Sequence, residues 1–187
     1  MDVWRREIFD RKFDNRGNLI KNFCKPEEAP TRPLALILNN IKLCLDPQDN
    51  IWVAFRYKNK IRKYDSEGNL LKEFERTLTF TPIKPKHTPE DEKPFELDGV
   101  SGDIFCDESG RLFVTSNKIY DEGGHLIEVL NSDGKIIGSS NSGYLGEELP
   151  SYSELPRDQS IHIDTHQNFY LLDHASMNVH VFKLLFE

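Results

Sequence analysis

The sequence predicts an all-β protein made of repeated four-stranded antiparallel units, and three observations carry that prediction. First, the stretch Asp46 to Phe74 reads as turn, strand, loop, strand, turn, strand, and the rest of the chain repeats it whole or in part. Second, each run alternates, or is β-branched and aromatic, and then breaks at a polar turn, which is a strand–turn–strand signature. Third, no apolar pattern of helical period runs long enough to build a helical layer.

Taken in order, residues 1–13 mix charge and aromatics. Phe13-Asp14-Asn15-Arg16-Gly17-Asn18-Leu19-Ile20-Lys21-Asn22-Phe23 then matches Tyr64-Asp65-Ser66-Glu67-Gly68-Asn69-Leu70-Leu71-Lys72-Glu73-Phe74 nearly residue for residue. Both read as hairpins whose turn places Gly where the backbone needs positive φ. Leu130-Asn131-Ser132-Asp133-Gly134-Lys135-Ile136-Ile137 is a third copy. The other half of the unit recurs as well. Leu43-Cys44-Leu45-Asp46 followed by Asp49-Asn50-Ile51-Trp52-Val53 aligns with Ile104 to Val114 and again with Ile161 to Leu171, on the anchors Asp46, Asp107 and Asp164.

The unit therefore has strands a, b, c and d, at 41–46, 51–55, 60–65 and 70–74 in the best copy. Four strands repeating at roughly 50–60 residues read as blades of a β-propeller. The expected layout is a single partial propeller over 1–187, with blades at 8–23 (c and d only), 41–74, 102–138 and 161–183 (a, b and c). That is roughly three and a quarter blades, where a ring takes about 4–8. Either the chain is a piece of a longer propeller, or two half-rings pair as a homodimer that completes six blades.

The sequence "DNIWV" after a strand ending in Asp, followed by "KIRKYDSEGNLLKEF", resembles the NHL-repeat six-bladed propellers of bacteria, over nearly the whole chain. The matching residues are turn and core residues, so the resemblance speaks to fold. It implies a binding scaffold. Some relatives of such propellers are metal-dependent lactonases or lyases.

Composition narrows the classes. The chain has 187 residues, 37% hydrophobic and 29% charged, which is globular, and a net charge of −7 that argues against nucleic acid as a partner. A membrane span needs roughly 20 apolar residues, whereas the best run is Leu34 to Leu38. The N-terminus carries no apolar signal core, so the chain as written is not exported, although a longer parent could be. Cys24, Cys44 and Cys106 have no metal-like spacing and read as small buried hydrophobes.

Topology places function at one end. In a blade the a–b and c–d turns lie at one end, and the b–c loops and d–a connections at the other. The turns are short and regular, while the connections at 24–40, 75–101 and 139–160 are long and irregular. Long loops of this kind are usually functional or disordered. The residues entering each strand a, Asn40 with its equivalents Ser101 and Asp158 and its neighbours Asn39 and Asp103, line that end together with Arg56, Asn117 and His174 from the b–c loops. Asn39, Asn40, Arg56, Asp103, Asn117, Asp158 and His174 are thus the candidate ligand-binding residues.

No catalytic residue is assigned. His162-Ile163-Asp164-Thr165-His166 looks like a metal box, but His166 falls in a turn and His174 at the opposite end of the blade, so no tetrahedral site forms. The Asp-x-x-Gly-Asn turns lack the pattern of a calcium loop. There is no nucleophile elbow and no phosphate loop. The reading is a non-catalytic scaffold that needs no cofactor and offers its long-loop end to a protein, peptide or glycan. The alternative is a lactonase- or lyase-like enzyme with a divalent cation such as calcium at the channel.

Overall fold

A computed structural model describes residues 10–78, 81–82, 99–116, 126–141, 159–173 and 178–183. Its described strands form four antiparallel sheets. Sheet 1 pairs β1 (Asp10–Phe13) with β2 (Leu19–Phe23). A short helix, α1 (Arg32–Leu38), leads into sheet 2, which orders β3 (Ile41–Leu45), β4 (Ile51–Phe55), β5 (Ile61–Tyr64) and β6 (Leu70–Phe74) as a meander. Sheet 3 repeats that meander with β7 (Ile104–Cys106), β8 (Leu112–Thr115), β9 (Leu126–Leu130) and β10 (Ile136–Asn141). Sheet 4 holds β11 (Gln159–Ile163), β12 (Asn168–Asp173) and β13 (Asn178–Lys183). These are blades of a β-propeller, stacked face to face.

The stacking follows from the two-residue period of a strand. In β4, Ile51, Val53 and Phe55 face sheet 1 and pack with Phe23 and Cys24, while Trp52 and Ala54 face sheet 3. In β8, Leu112 and Val114 face sheet 2, while Phe113 turns to sheet 4 and meets Ile161, Ile163, Phe169 and Leu171. A strand between two neighbours must be apolar on both faces, and β4 and β8 are buried at every residue. The first strands of successive sheets, β3, β7 and β11, lie beside one another, so the blades converge on strand a.

Six turns share one geometry. The side chain of Asp14, Asp46, Asp65, Asp107, Asn131 or Asp164 accepts a hydrogen bond from the backbone N–H four residues on, at 2.8–2.9 Å in each case. The residue before that N–H has positive φ in all six. It is Gly17, Gly68, Gly110 or Gly134 four times, and Asp49 (φ 60) and Gln167 (φ 62) otherwise. Each turn is an Asx turn closed by its own carboxylate or amide.

Gly134 is constrained twice. A Cβ there would lie 2.4 Å from Cζ of Phe74, the residue that ends sheet 2, whereas a Cβ on Gly17 would meet nothing within 4 Å. Gly134→Ala is therefore expected to cost about 2–4 kcal/mol, from left-handed strain plus overpacking, and Gly17→Ala about 1 kcal/mol from strain alone. Urea denaturation of the two variants checks this; equal losses would mean that Phe74 does not press on the turn.

The sequence offered residues 24–40 as an irregular connection without helix, and the structure corrects this. Thr31 caps α1, its Oγ1 accepting from Leu34 N at 3.4 Å, and Pro33 sits in the first turn where no N–H is needed. Leu34, Ala35 and Leu38 pack on Ala29. At seven residues, the helix is too short to show a period.

Candidate functional site

The long-connection end of sheets 2 and 3 is built on backbone. Arg56, at the exit of β4, donates its N–H to Asn40 O at 2.9 Å, and its own carbonyl accepts from Val100 N at 2.7 Å and Ser101 N at 3.1 Å. One residue thus ties the entry of β3 to the approach to β7. Arg56 also places its guanidinium 5.5 Å from the Tyr57 ring centroid. Asp103 bridges three elements. Its Oδ1 lies 3.7 Å from Lys42 Nζ, its Oδ2 accepts from Ile161 N of β11 at 2.9 Å, and its N–H donates to Thr115 Oγ1 at 2.7 Å. The structure therefore brings Asn40, Arg56 and Asp103 to one end. Asn117, Asp158 and His174 lie outside the described residues.

Asn39 has a structural task. Its Oδ1 accepts from Glu27 N at 2.7 Å, and its Nδ2 donates to Glu27 O at 2.9 Å and Ala35 O at 2.8 Å. The side chain clasps the 24–31 segment to the end of α1. Glu27 then anchors that segment to sheet 2. Its carboxylate meets Lys58, Lys60 at 2.9 Å and Arg62 at 2.7 Å, and Arg62 also donates from Nε to Glu73 at 2.6 Å. Burial pushes the Glu27 carboxyl up, but hydrogen bonds and charge from Lys58 and Lys60 outweigh it and bring the pKa from the ordinary 4.5 to about 2.

A depressed folded-state pKa contributes stability that is present above the unfolded value and lost as pH falls through the folded one. The window for Glu27 is therefore pH 4.5 down to about 2. Glu27→Gln is expected to lower stability at pH 7 and to flatten its fall across that window. Chemical denaturation at pH 7, 4.5 and 3 reads it, and parallel curves for the two proteins would refute the anchor.

The sequence missed the feature that closes the base of the 75–101 connection. Arg76 leaves β6 and reaches into the face of sheet 3, where its Nη1 meets Glu128 of β9. Its Nη2 donates to Val100 O at 2.7 Å and Ser101 Oγ at 2.9 Å. Its backbone is held by Asn59, which accepts from Arg76 N at 3.1 Å and donates to Arg76 O at 2.7 Å. One arginine thus fixes both ends of the long connection. The only sequence signal was Glu128 within the apolar alternation of Leu126 to Leu130.

The opposite end carries a groove of about 360 Å³ between the a–b turns of sheets 3 and 4, lined by Asp107, Glu108, Arg111, His162, Asp164 and Thr165 among others. Its polar atoms are largely engaged. Asp107 Oδ2 accepts from Arg111 Nε at 2.6 Å, and Asp164 Oδ2 accepts from Asn168 Nδ2 at 2.7 Å and Tyr170 OH at 3.0 Å. Those hydrogen bonds, with Asn168 Nδ2 foremost, draw the Asp164 carboxyl down to about 2. The His162 ring stands edge-on to Phe105 at 4.8 Å. Among the described residues no three His, Cys, Asp or Glu gather as metal ligands, and no helix is long and apolar enough to cross a membrane.

No protein-family pattern and no curated protein matches the chain. Solved structures do. A protein of unknown function from Bacteroides caccae superimposes with a TM-score of 0.50 at 14% identity, over 87% of this chain and 47% of that one. A member of the DUF4221 family from Bacteroides vulgatus follows at TM-score 0.47 and 10% identity, over 94% and 56%. A catalytically inactive virginiamycin B lyase from Staphylococcus aureus, solved with quinupristin, gives 0.32 and 13%, over 94% and 62%. At such identities the likeness is one of fold. The chain spans about half the length of the two Bacteroides structures.

Proposed function

We propose that the chain is a non-catalytic binding module of the propeller type, which presents its long-connection end to a protein, peptide or glycan. What supports the reading is the asymmetry between the two ends. Six turns of one closed geometry finish the sheets at one end. At the other, connections of unequal length start from anchored bases, the Glu27–Asn39 clasp and the Arg76–Glu128 pair. A fixed base with a variable loop is how scaffolds carry binding surfaces. Asn40, Arg56 and Asp103, with Asn117, Asp158 and His174, form the ligand-facing polar set, and Asn39 supports it from behind. Residues 1–187 act as one propeller unit of NHL type, as part of a longer ring or as half of a ring closed by a second copy.

The test probes printed peptide and glycan arrays with the full chain and with a variant whose residues 83–98 are replaced by a short Gly-Ser linker, leaving Arg76 and Val100 in place. Binding to a subset of probes that disappears in the variant, at unchanged melting temperature, is the expected result. Binding that survives the replacement would move the site elsewhere. Lactone hydrolysis or an elimination reaction by the purified chain with added calcium would overturn the non-catalytic reading.

A further inference from the structure

Cys44 and Cys106 are far apart in sequence and carry no common motif, yet the fold sets them side by side. Cys44 lies on β3 and Cys106 on β7, the innermost strands of sheets 2 and 3, and their Sγ atoms are 2.7 Å apart. The alternation of each strand explains the meeting. Ile104 and Cys106 share the face of β7 that looks at sheet 2, and Cys44 pairs in register with Trp52 on the face that looks at sheet 3. Both sulfurs sit at the margin of the apolar cluster around Trp52, Leu112 and Val114. Cys106 is buried, Cys44 is half-buried, and both are free thiols. The third cysteine, Cys24, belongs to a different cluster between sheets 1 and 2.

We propose that Cys44 and Cys106 are an oxidative modification site, at which a small-molecule disulfide of the glutathione class joins the two sulfurs and staples sheets 2 and 3 across their innermost strands. The step balances by thiol–disulfide exchange. The hydrogen bond with Cys106, then burial, hold the Cys44 thiol up, so its thiolate is scarce and the exchange is slow. Cys44, the more accessible sulfur, loses its proton to water and attacks the oxidant, forming a mixed disulfide and releasing one small thiol. Cys106 then loses its proton and attacks the Cys44 sulfur, forming the Cys44–Cys106 bond and releasing the second small thiol. The protein gives up two electrons and two protons, and the oxidant is reduced to two thiols. The product ties β3 to β7 beside the Asp46 and Asp107 turns, at the end of the sheets opposite the candidate binding residues. The bond would close a long loop of chain, the case in which a cross-link restricts the unfolded ensemble most.

The experiment uses the full chain, incubated natively for hours with excess oxidised glutathione, then alkylated and denatured without reductant. The expected product is a monomeric chain with a single alkylated thiol at Cys24, whose mass less that one alkyl group is about 2 Da below that of the reduced chain, and a proteolytic fragment joining the Cys44 and Cys106 peptides. Its melting temperature rises by about 5–10 °C and returns to the starting value with dithiothreitol. Cys44→Ser and Cys44→Ala, at the more exposed position, should fold, show no mass loss and gain no melting temperature. Three alkylated thiols after oxidation, a glutathione adduct that persists on Cys44, or a linked fragment containing Cys24 would each overturn the assignment.

Discussion

Glu128→Ala is expected to cost about 3–5 kcal/mol, because it strands the Arg76 guanidinium in the face of sheet 3. The side chains of Arg76 and Glu128 are 1% and 4% exposed. Removing Glu128 takes its carboxylate away from a buried guanidinium, and the desolvation left uncompensated exceeds what the pair contributes as a pair. Arg76→Ala should cost at least as much, since it also releases Val100 O and Ser101 Oγ. Arg76→Met combined with Glu128→Leu should recover most of the loss, since an apolar pair of similar volume carries no desolvation penalty. Urea denaturation of the two single variants and the double variant gives the coupling energy. Additive losses would mean that the two residues act independently.

The second large effect is at Trp52. Trp52→Ala is expected to cost about 3–5 kcal/mol. The ring is fully buried between sheets 2 and 3, edge-on to Phe74 at 6.2 Å, and its Nε1 donates to Asp46 Oδ2 at 3.2 Å. Tyr170 fills the same slot of sheet 4 and likewise donates to the aspartate of its own turn, at 3.0 Å. No described sheet covers its face, however. Tyr170→Ala should therefore cost far less than Trp52→Ala, since it gives up one hydrogen bond and modest packing. Comparable losses at both positions would mean that sheet 4 has a neighbour on its far side in solution.

The contrast between those two residues shows what was readable from the chain. Asp46, Asp107 and Asp164 recur because each closes its own turn, so a local hydrogen-bond pattern leaves a local signature. Strand positions and the slot shared by Trp52, Phe113 and Tyr170 followed from it. Features that arise only when sheets stack left no such mark. The meeting of Cys44 with Cys106 and of Arg76 with Glu128 depends on which face of one blade looks at the next. Helix α1 escaped because Leu34, Ala35 and Leu38 span too few turns, although Thr31 before Arg32-Pro33 was an available start signal. At the candidate site the polar types at Asn39, Asn40, Arg56 and Asp103 were visible, but their work was not. A side chain that accepts from Glu27 N and one that faces solvent look alike as letters.

The face-to-face stack has a consequence for cooperativity. Among the described residues, each sheet packs on the one before it and the one after it, as in a solenoid whose free energy is a sum of unit terms and nearest-neighbour couplings. Sheets 2 and 3 draw on two couplings each, and the flanking sheets on one among those described. Within the described sheets, opening should begin at sheets 1 and 4 and move inward. Amide hydrogens of β4 and β8 would then exchange only through rupture of the whole array, while those of β1 and β12 would exchange through local opening, with the middle interface acting as the last surviving coupling.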